Sequence, residues 1–454
     1  MAVVIEGLNN NTLGTATALP LVEDPAGRGL WSAFGSGAID PAVSGNAWSD
    51  PDYWRFEALA GDRVSASMDT SVSDLNSYFE IRSAADIAIA SSQDDGPGTD
   101  AFVSNFVVPS SGTYYVRAGK ESSSSVSGSY GLRIDLARGI DLESDANYRN
   151  NSISQADNLR FSHAVAGHAV GTAAGNIMAG EAAILDIDYF SLGLLTAGNA
   201  VDVKAHLPSA SILQARVSVV DSQGMPLADT AGDGSDDHFL GTVVASGVYF
   251  AKVEANSGSG HSAQYVLDVD IADSIAPTVT GLQGIPGANG TTSSLSGRIV
   301  VSFSEQIDLS SVNSGVWVLR SAGLDDAFNT ADDGVYGLAS SSNVNASSQS
   351  VELFVESGPP TTNGRYRFSI APGILDRAGN PLDGDANGAG GDQFERTFSL
   401  ALPNVLVPEG PSNDTQQTAT PLTFTEAPSG SGYFHSAVGL GSIDPLSDSD
   451  WWSF

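Results

Sequence analysis

The sequence predicts an all-β chain built from tandem β-sandwich domains. Short segments in which apolar and polar residues alternate recur along the whole length, for example Thr113–Arg117, Val248–Val253 and Arg298–Phe303. They are rich in β-branched and aromatic residues and are separated by clusters of Gly, Ser, Asp, Asn and Pro, which is typical of strands joined by turns. No long segment shows the 3.6-residue period of a helix. At roughly 150 residues per domain, the 454 residues predict about three domains.

The composition excludes several classes of function. With 19 Lys+Arg against 53 Asp+Glu the formal net charge is −34, which argues against a nucleic-acid partner and against anionic membrane surfaces. The chain has no cysteine, so disulfides, thiol catalysis and cysteine-based zinc sites are excluded. We find no apolar run long enough to span a membrane. An acidic, cysteine-free chain rich in Gly, Ser, Thr and Asn predicts an extracellular or bacterial cell-surface location.

One pattern of residues occurs near both ends of the chain. The segment Glu6–Asn10, followed by the Ser-Asp-Pro-Asp-Tyr-Trp run of Ser49–Trp54, is matched by Glu409–Asp414 and by the Ser-Asp-Ser-Asp-Trp-Trp run of Ser447–Trp452. A weaker middle copy ends in Leu-Asp-Ile-Asp-Tyr-Phe at Leu185–Phe190. This repetition predicts successive copies of one structural unit.

The first two copies also end alike. Gly-Thr-Tyr-Tyr-Val at Gly112–Val116 and Gly-Val-Tyr-Phe-Ala at Gly247–Ala251 each precede a last Tyr-x-Leu strand. This order of motifs resembles the bacterial pre-peptidase C-terminal domain, the small sandwich that also serves as the collagen-binding domain of clostridial collagenases. The resemblance covers about residues 6–137 and 140–273, and the first half of a third copy from Glu409.

Residues 274–402 follow a different pattern, carried by Ala276–Val279, Val300–Glu305 and Gly373–Leu382. This segment resembles the bacterial immunoglobulin-like domains that recur in S-layer and large surface proteins. The two resemblances together imply jelly-roll-like and immunoglobulin-like sandwiches in an extended array. The predicted domains are 1–137 and 138–273 (pre-peptidase-like), 274–402 (immunoglobulin-like) and 403–454 (linker and the first half of a third pre-peptidase-like copy).

The resemblance to the collagen-binding relatives implies calcium. In them an acidic and Asn-rich N-terminal segment and a later Asp-x-Asp pair form the two halves of a calcium site, and calcium prefers such oxygen ligands. In the middle copy Glu143 and Asp145 lie three residues early and Leu185 replaces the serine, so only its two later aspartates are retained. The alternative is that these residues simply build solvated turns. The implied ligands are Glu6, Asn9, Asn10, Asp50 and Asp52 in the first copy, Asp186 and Asp188 in the second, and Glu409, Asn413, Asp414, Asp448 and Asp450 in the third.

The immunoglobulin-like segment contains two further oxygen-rich loops. The first, around Asp325, Asp332 and Asp333, holds aspartates whose mutual repulsion favours a cation. The second, with Asp383, Asp385 and Asn387, matches the first half of an EF-hand loop, but its twelfth position is Phe394, so the full motif fails. Each loop is either a calcium site or a plain acidic turn.

Enzyme signatures are missing, and the candidate sites recur once per copy rather than forming one cleft, so we predict that the chain is not an enzyme. The favoured function is a calcium-stabilised structural or adhesive repeat protein, associating with itself or with neighbouring copies in a fibre by head-to-tail contacts. The alternative is the targeting region of a larger secreted hydrolase that binds a polysaccharide or a protein fibre. Solvent-facing aromatics such as Tyr53 or Tyr115 would serve that alternative, although core packing is the simpler explanation for them.

Overall fold

A computed structural model describes residues 2–40, 46–181, 184–232, 236–341, 349–402, 406–410, 412–426, 435–443 and 448–454. The prediction of an all-β chain is confirmed. Helical turns in the described part are three short 3-10 segments: Leu13–Thr15, Ile153–Gln155 and Leu309–Ser311. The chain divides into two compact units, one formed by Met1–Ala164 and His168–Asp273 and the other by Val165–Gly167 and Ser274–Phe454.

The first unit begins with a sandwich of two sheets. One sheet has the strand order β1-β4-β11-β6-β9 and the other β2-β5-β10-β7-β8. Their inner faces bury a core that includes Trp54, Phe79 and Leu132, each 0% exposed. The strands are β1 (Val3–Ile5), β2 (Thr17–Ala18), β3 (Val22–Glu23), β4 (Leu30–Ile39), β5 (Asp52–Ala58), β6 (Arg63–Asp69), β7 (Ser77–Arg82), β8 (Ala88–Ser92), β9 (Ala101–Val107), β10 (Gly112–Lys120) and β11 (Gly128–Ala137).

A second sandwich in the same unit repeats this topology. Its sheets have the orders β12-β15-β21-β17-β19 and β13-β16-β20-β18. The short first strand of each sheet pairs in parallel with its neighbour, as β1 and β2 do in the first sandwich. The strands are β12 (Asp141–Leu142), β13 (Asp157–Asn158), β14 (Ser162–Val165), β15 (His168–Asn176), β16 (Ile187–Leu195), β17 (Ala200–His206), β18 (Gln214–Asp221), β19 (His238–Thr242), β20 (Gly247–Ser257) and β21 (Gln264–Ala272).

The second unit contains a third sandwich of different topology. Its sheets have the orders β22-β24-β28-β27 and β23-β30-β29-β25-β26, and they bury Tyr366, Phe368 and Phe398 at 0% exposure. The strands are β22 (Val279–Gln283), β23 (Thr291–Thr292), β24 (Arg298–Phe303), β25 (Trp317–Ser321), β26 (Val335–Tyr336), β27 (Leu338–Ser340), β28 (Ser350–Val355), β29 (Gly364–Ile370) and β30 (Phe394–Leu400).

The last part of the second unit repeats pairings found in the first sandwich. Parallel pairing joins β31 to β35 and β32 to β36, as it joins β1 to β4 and β2 to β5. The strands are β31 (Leu406–Pro408), β32 (Thr420–Pro421), β33 (Thr425–Glu426), β34 (His435–Ser436), β35 (Val438–Leu440) and β36 (Trp452–Ser453). The similarity between the two ends of the sequence is therefore also a similarity of strand pairing.

All three sandwiches use one tyrosine in the same way. The hydroxyls of Tyr114, Tyr249 and Tyr366 donate to the backbone carbonyl four residues upstream, at 2.7, 2.8 and 2.7 Å. Each ring is buried while its hydroxyl closes the preceding turn, which is the arrangement of a tyrosine corner in Greek-key sandwiches. The bond fixes where a central strand enters its sheet.

We expect the core of the third sandwich to be sensitive to truncation. Phe368→Ala removes a fully buried ring and should lower the local free energy of unfolding by about 3–5 kcal/mol. Leu324→Ala is the control, because Leu324 is 100% exposed and should change stability by less than about 0.5 kcal/mol. Peptide-resolved hydrogen exchange across β24–β30 measures both, and equal effects of the two variants would contradict this assignment of the core.

Candidate metal centres

The first sandwich places a glutamate, an asparagine and an aspartate together at one edge. Glu6 follows β1, its backbone N–H donates to the Ser36 carbonyl at 3.0 Å, and its Oε1 accepts the Ala38 N–H at 3.1 Å. Parallel pairing of β1 with β4 therefore holds the Glu6 carboxylate over β4. The carbonyl of Asn10 accepts the Tyr53 N–H at 2.8 Å, which brings the Asn10 side chain to the start of β5.

Asp52 is the centre of this group. Tyr130 donates its hydroxyl to Asp52 Oδ2 at 2.6 Å, and the Asn10 amide, turned to satisfy its neighbours, donates to Asp52 Oδ1 at 3.0 Å. Burial, with smaller contributions from the neighbouring Glu6 and Asp50, raises the pKa of Asp52 to about 8. Asp50 lies at the rim, where its oxygens accept from Asn11 Nδ2 and the Asp40 N–H at 3.1 and 2.8 Å.

Asn9 has a different environment from the other predicted ligands of the first copy. It is exposed and adopts a left-handed conformation with φ 67°. This is the conformation in which asparagine is favoured at turns. The structure thus assembles Glu6, Asn10 and Asp52, with Asp50 beside them, and places Asn9 in the connecting turn.

The second sandwich contains the most deeply buried group. Glu143, Asp145, Asp186 and Asp188 are 3, 0, 5 and 0% exposed. Carboxylate oxygens of the three aspartates lie within 4.8 Å of one another. The Tyr265 hydroxyl donates to Asp188 Oδ2 at 2.5 Å and lies 3.2 Å from Glu143 Oε2.

Sequence reasoning missed Glu143 and Asp145 because it treated their early position as a departure from the pattern. Glu143 nevertheless occupies the place of Glu6: its N–H donates to the Ala174 carbonyl at 3.1 Å and its Oε1 accepts the Asn176 N–H at 2.6 Å. The extra residues before Asn150 form a turn closed by the Tyr148 N–H and the Asp145 carbonyl at 3.0 Å. That turn supplies Asp145 as an additional carboxylate.

Asn150 was the sequence feature that could have identified Glu143 and Asp145 as members of the second group. Its carbonyl accepts the Tyr189 N–H at 3.2 Å, as the Asn10 carbonyl accepts from Tyr53. Both asparagines begin an Asn-Asn pair, but Glu143 lies seven residues before Asn150 whereas Glu6 lies four residues before Asn10. A motif of fixed spacing therefore misses the three extra residues of the second copy.

The second group is electrostatically unsatisfied. In the described part of the chain, both oxygens of Asp145 and one oxygen each of Asp186 and Asp188 have no hydrogen-bond partner, although all are buried. Burial raises the pKa of Asp188 to about 7 and, together with the charge of Asp188, that of Asp186 to about 9. Burial and the neighbouring aspartates hold the pKa values of Glu143 and Asp145 well above their usual range.

The third copy repeats the arrangement at its own edge. Glu409 donates its N–H to the Leu440 carbonyl at 2.8 Å and accepts the Ser442 N–H at 3.2 Å, and the Asn413 carbonyl accepts the Trp451 N–H at 2.9 Å. Glu409 Oε2 and Asp450 Oδ1 are buried without a hydrogen-bond partner among the described residues. Burial raises the pKa of Glu409, and a hydrogen bond with Asp448 raises that of Asp414.

A glycine lies beneath each of the three groups. A Cβ atom added to Gly37 would lie 2.5 Å from the Tyr130 hydroxyl, and one added to Gly175 would lie 2.3 Å from Glu143 Oε2. A Cβ on Gly441 would lie 2.5 Å from Glu409 Oε2. A side chain at these positions would collide with the carboxylate, so the strand next to the glutamate needs glycine there.

The first acidic loop of the third sandwich is balanced by protein groups. Asp333 accepts from Arg320 at 3.0 Å and Asp326 from Arg365 at 3.3 Å. Asp332 accepts from Thr330 and from the N–H of Leu324 at 2.8 and 2.6 Å, bonds that lower its pKa. Asp325 accepts the Ala327 N–H at 2.9 Å. Protein groups thus offset part of the repulsion on which the predicted calcium site of this loop rests.

The second loop is closed around Asp383. Its two oxygens accept the N–H groups of Asn387 and Gly388 at 3.1 and 2.8 Å, and Asp385 accepts the Asn387 N–H at 3.1 Å. Carboxylate oxygens of Asp383, Asp385 and Asp392 lie within 4.8 Å of one another. Asp392 was not predicted, because it falls outside the EF-hand spacing. The Asn387 side chain caps the loop by accepting the Ala389 N–H at 2.8 Å.

A separate surface of the first sandwich carries aromatic rings and arginines. On the outer face of β5, β10 and β7 the Arg117 guanidinium lies 3.7 Å from the centroid of the Trp48 ring, and the Trp48 and Tyr78 rings are 5.2 Å apart. Of the aromatics considered from the sequence, Tyr53 is 6% exposed, whereas Tyr115 is partly exposed. Tyr53 thus belongs to the packed base of this face rather than to its exposed part.

The third sandwich is similar to a known protein family. Residues 273–398 match the family model described as a bacterial Ig-like domain. These residues form a bacterial Ig-like domain. The prediction of an immunoglobulin-like segment is confirmed. No curated protein sequence matches this chain.

Several solved structures are similar to parts of the chain. PcoC, a methionine-rich copper resistance protein from Escherichia coli, is 15% identical, with 28% of this chain covering 99% of that one at a TM-score of 0.20. The lysozyme inhibitor PliG from Aeromonas hydrophila is 17% identical, with 30% and 99% covered and a TM-score of 0.19. The BSP domain of a biofilm-associated protein is 12% identical, with 88% and 68% covered and a TM-score of 0.14. TM-scores this low support no inference.

Among the described residues, no helix has the length and apolar character that crossing a membrane requires.

The raised pKa values predict how the metal-free protein responds to pH. The folded-state values of about 7, 8 and 9 for Asp188, Asp52 and Asp186 lie above the unfolded value of about 3.9. The folded state therefore binds these protons more tightly, and the stability they contribute is lost as the pH rises through the folded-state values. In chelator, the melting temperature should fall between pH 5 and pH 9. The Asp188→Asn variant should show a shallower fall, and an identical pH profile would contradict this assignment.

Proposed function

We propose that this chain is a non-catalytic, calcium-stabilised repeat region of a bacterial surface or secreted protein, with a structural or adhesive role. An Ig-like domain and two sandwiches of repeated topology fit such a protein. The observation that carries the calcium part is the buried group of Glu143, Asp145, Asp186 and Asp188, several of whose oxygens lack hydrogen bonds in the described structure.

The donor set suits calcium. The group offers only carboxylate oxygens, with the Asn150 side chain, also 0% exposed, as a further candidate. Hard cations such as calcium take oxygen ligands in this manner, whereas zinc and copper favour imidazole or thiolate. An isolated buried carboxylate is costly unless it is paired, protonated or bound to a metal. Calcium bound here would supply the missing partner, and the glutamate and Asp-x-Asp residues of the first and third copies would hold equivalent ions.

The recurrence of the site favours a structural role over catalysis. The same glutamate, asparagine and Asp-x-Asp residues occupy the same strand edges in three copies. This repetition supports assigning residues 1–137, 138–273 and the last segment to pre-peptidase C-terminal-like copies. A metal site that stabilises each copy is expected to recur wherever the fold recurs, whereas one active site per chain is usual for an enzyme.

Calcium binding is tested by stability and stoichiometry. A ligand present at about 100 times its dissociation constant adds about 2.7 kcal/mol to the folded state. We therefore expect calcium to raise the melting temperature by several degrees over chelator. Asp186→Asn should lower the bound calcium per chain, measured by elemental analysis after gel filtration, by one equivalent. In chelator above about pH 9, where the Asp186 carboxylate is charged, this variant should be more stable than the parent, because it removes a buried repelling charge.

The matched control is Asp74→Asn, which makes the same change at an exposed position. It should leave both the calcium content and the melting temperature unchanged. If the parent protein retains no calcium and melts identically in calcium and in chelator, the calcium role is wrong.

The aromatic and arginine-bearing face of the first sandwich favours a second candidate function. Trp48, Tyr78 and Arg117 form a partly exposed set on one sheet face, with the Arg117 guanidinium over the Trp48 ring and the Tyr78 ring tilted against it. Planar aromatic surfaces with adjacent hydrogen-bond donors suit the faces of sugar rings or of an extended peptide. Through this face the chain would direct a larger secreted hydrolase to a polysaccharide or a protein fibre.

Binding to insoluble substrates tests this second candidate. Co-sedimentation of the chain with cellulose, chitin and collagen fibres should show retention of the parent protein on at least one of them. Trp48→Ala should reduce that retention at least about tenfold, the loss of about 1.4 kcal/mol. Phe328→Ala, which removes an aromatic ring stacked with arginines in the other unit, is the control and should be retained like the parent. Equal retention of the two variants would exclude this face as the binding site.

A further inference from the structure

The two sandwiches of the first unit meet through a junction that is partly buried. Leu30 and Ala137 of the first pack with Leu142, Ala174 and Val266 of the second. Beside them, Gln264 Nε2 donates to Ser32 Oγ at 3.0 Å, and Ser32 donates to Asp135 at 2.7 Å. This junction is an interface within one compact unit.

One carboxylate of the second group reaches the first sandwich through its own backbone. The Asp145 N–H donates to Ser104 Oγ on β9 at 2.9 Å. The turn that carries Asp145 makes two further contacts there: Asn105 donates to Ser144 Oγ at 2.8 Å, and Asn147 donates its N–H to the Asp95 carbonyl at 2.8 Å. The residues that distinguish the second group from the first are thus also the residues that contact the first sandwich.

Two other carboxylates are connected to the first sandwich through one intermediate residue each. Glu143 accepts the Asn176 N–H at 2.6 Å, and the Asn176 side chain accepts a hydrogen bond from Arg133 on β11. Asp186 accepts the Met178 N–H, and the Met178 side chain packs with Phe102 on β9. Arg133 is 2% exposed and Phe102 is also 2% exposed, so both contacts are internal.

We propose that a calcium ion bound by the carboxylates of the second sandwich also stiffens the junction with the first sandwich, and that Ser104 is a positioning residue for that ion. This inference rests on the proposed calcium function. Without the ion, no common ligand links the carboxylates, so the Asp145 turn, Asn176 and Met178 can move independently of one another. With the ion, these three attachments are held in the geometry that the first sandwich contacts. Coupling of this kind is reciprocal, so the junction must in turn strengthen calcium binding.

The first experiment measures how calcium changes the hydrogen exchange of the first sandwich at the junction. Hydrogen exchange of the full chain is measured with and without calcium in peptides covering residues 95–107. We expect calcium to slow exchange there about tenfold, within the 5–150-fold range usual for coupled sites. Asp145→Asn should abolish the slowing. Asp52→Asn, which alters the first sandwich's own carboxylate group, is the control and should retain it.

The second arm measures the reciprocal effect by calorimetric calcium titration. Ser104→Ala should weaken calcium binding at the second site about five- to tenfold and leave the first site unchanged. Ser209→Ala is the matched control, because the Ser209 hydroxyl donates to Asp24 Oδ2 across the same junction at 2.5 Å, and neither of these two residues belongs to the carboxylate group. It should leave both affinities unchanged.

The outcomes separate the two proposals. Calcium that binds at the second site without altering exchange at residues 95–107 would overturn the coupling and leave the calcium function standing. A chain that binds no calcium would overturn the proposed function and the coupling with it. Equal weakening by Ser104→Ala and Ser209→Ala would reduce Ser104 to an ordinary junction contact and overturn its positioning role.

Discussion

The repulsion between buried carboxylates is the constraint on which the first unit depends. Glu143, Asp145, Asp186 and Asp188 are gathered at the edge of one sandwich with at most 5% exposure each. Desolvation of charges of one sign costs several kcal/mol per ion when nothing compensates it. The folded chain can meet this cost by binding protons, which the raised pKa values reflect, or by binding a cation. In the first case the stability of the sandwich depends on pH, and in the second it depends on the concentration of the cation.

The acidic side chains of the chain have two different kinds of neighbouring groups. The Ig-like domain uses arginines and backbone N–H groups, as in the pairs of Asp333 with Arg320 and Asp326 with Arg365. At the carboxylate groups of the first and second sandwiches, tyrosine hydroxyls and glycine lie beneath the acidic side chains instead. With only 19 Lys+Arg for 53 Asp+Glu, arginine cannot neutralise every cluster.

The proposed coupling gives the second group a role beyond its own sandwich. Its extra carboxylate comes from a turn that also contacts β9 of the neighbouring sandwich. A single insertion can thereby change two properties at once, the charge of the site and the packing of the junction. In a structural or adhesive protein such a junction would make stiffness depend on the calcium concentration outside the cell.

The sequence by itself determined the fold class, the Ig-like segment and the pattern of glutamate, asparagine and Asp-x-Asp that recurs along the chain. These are local properties, because strand alternation, turn residues and short motifs are written in neighbouring positions. Most predicted ligands of the repeated copies, such as Glu6 and Asp52, are brought together by the parallel pairing of short edge strands.

Only the tertiary structure decided which acidic residues are paired and which are left without partners. Arg365 lies far along the sequence from the aspartate it pairs with, and their meeting depends on how a loop folds over β29. Asp145 joins the second group because three additional residues form a turn that brings its side chain to the other carboxylates. A motif of fixed spacing cannot detect such an insertion. Burial and the contacts between sandwiches arise from sheet register and packing, and these link positions that no local pattern connects.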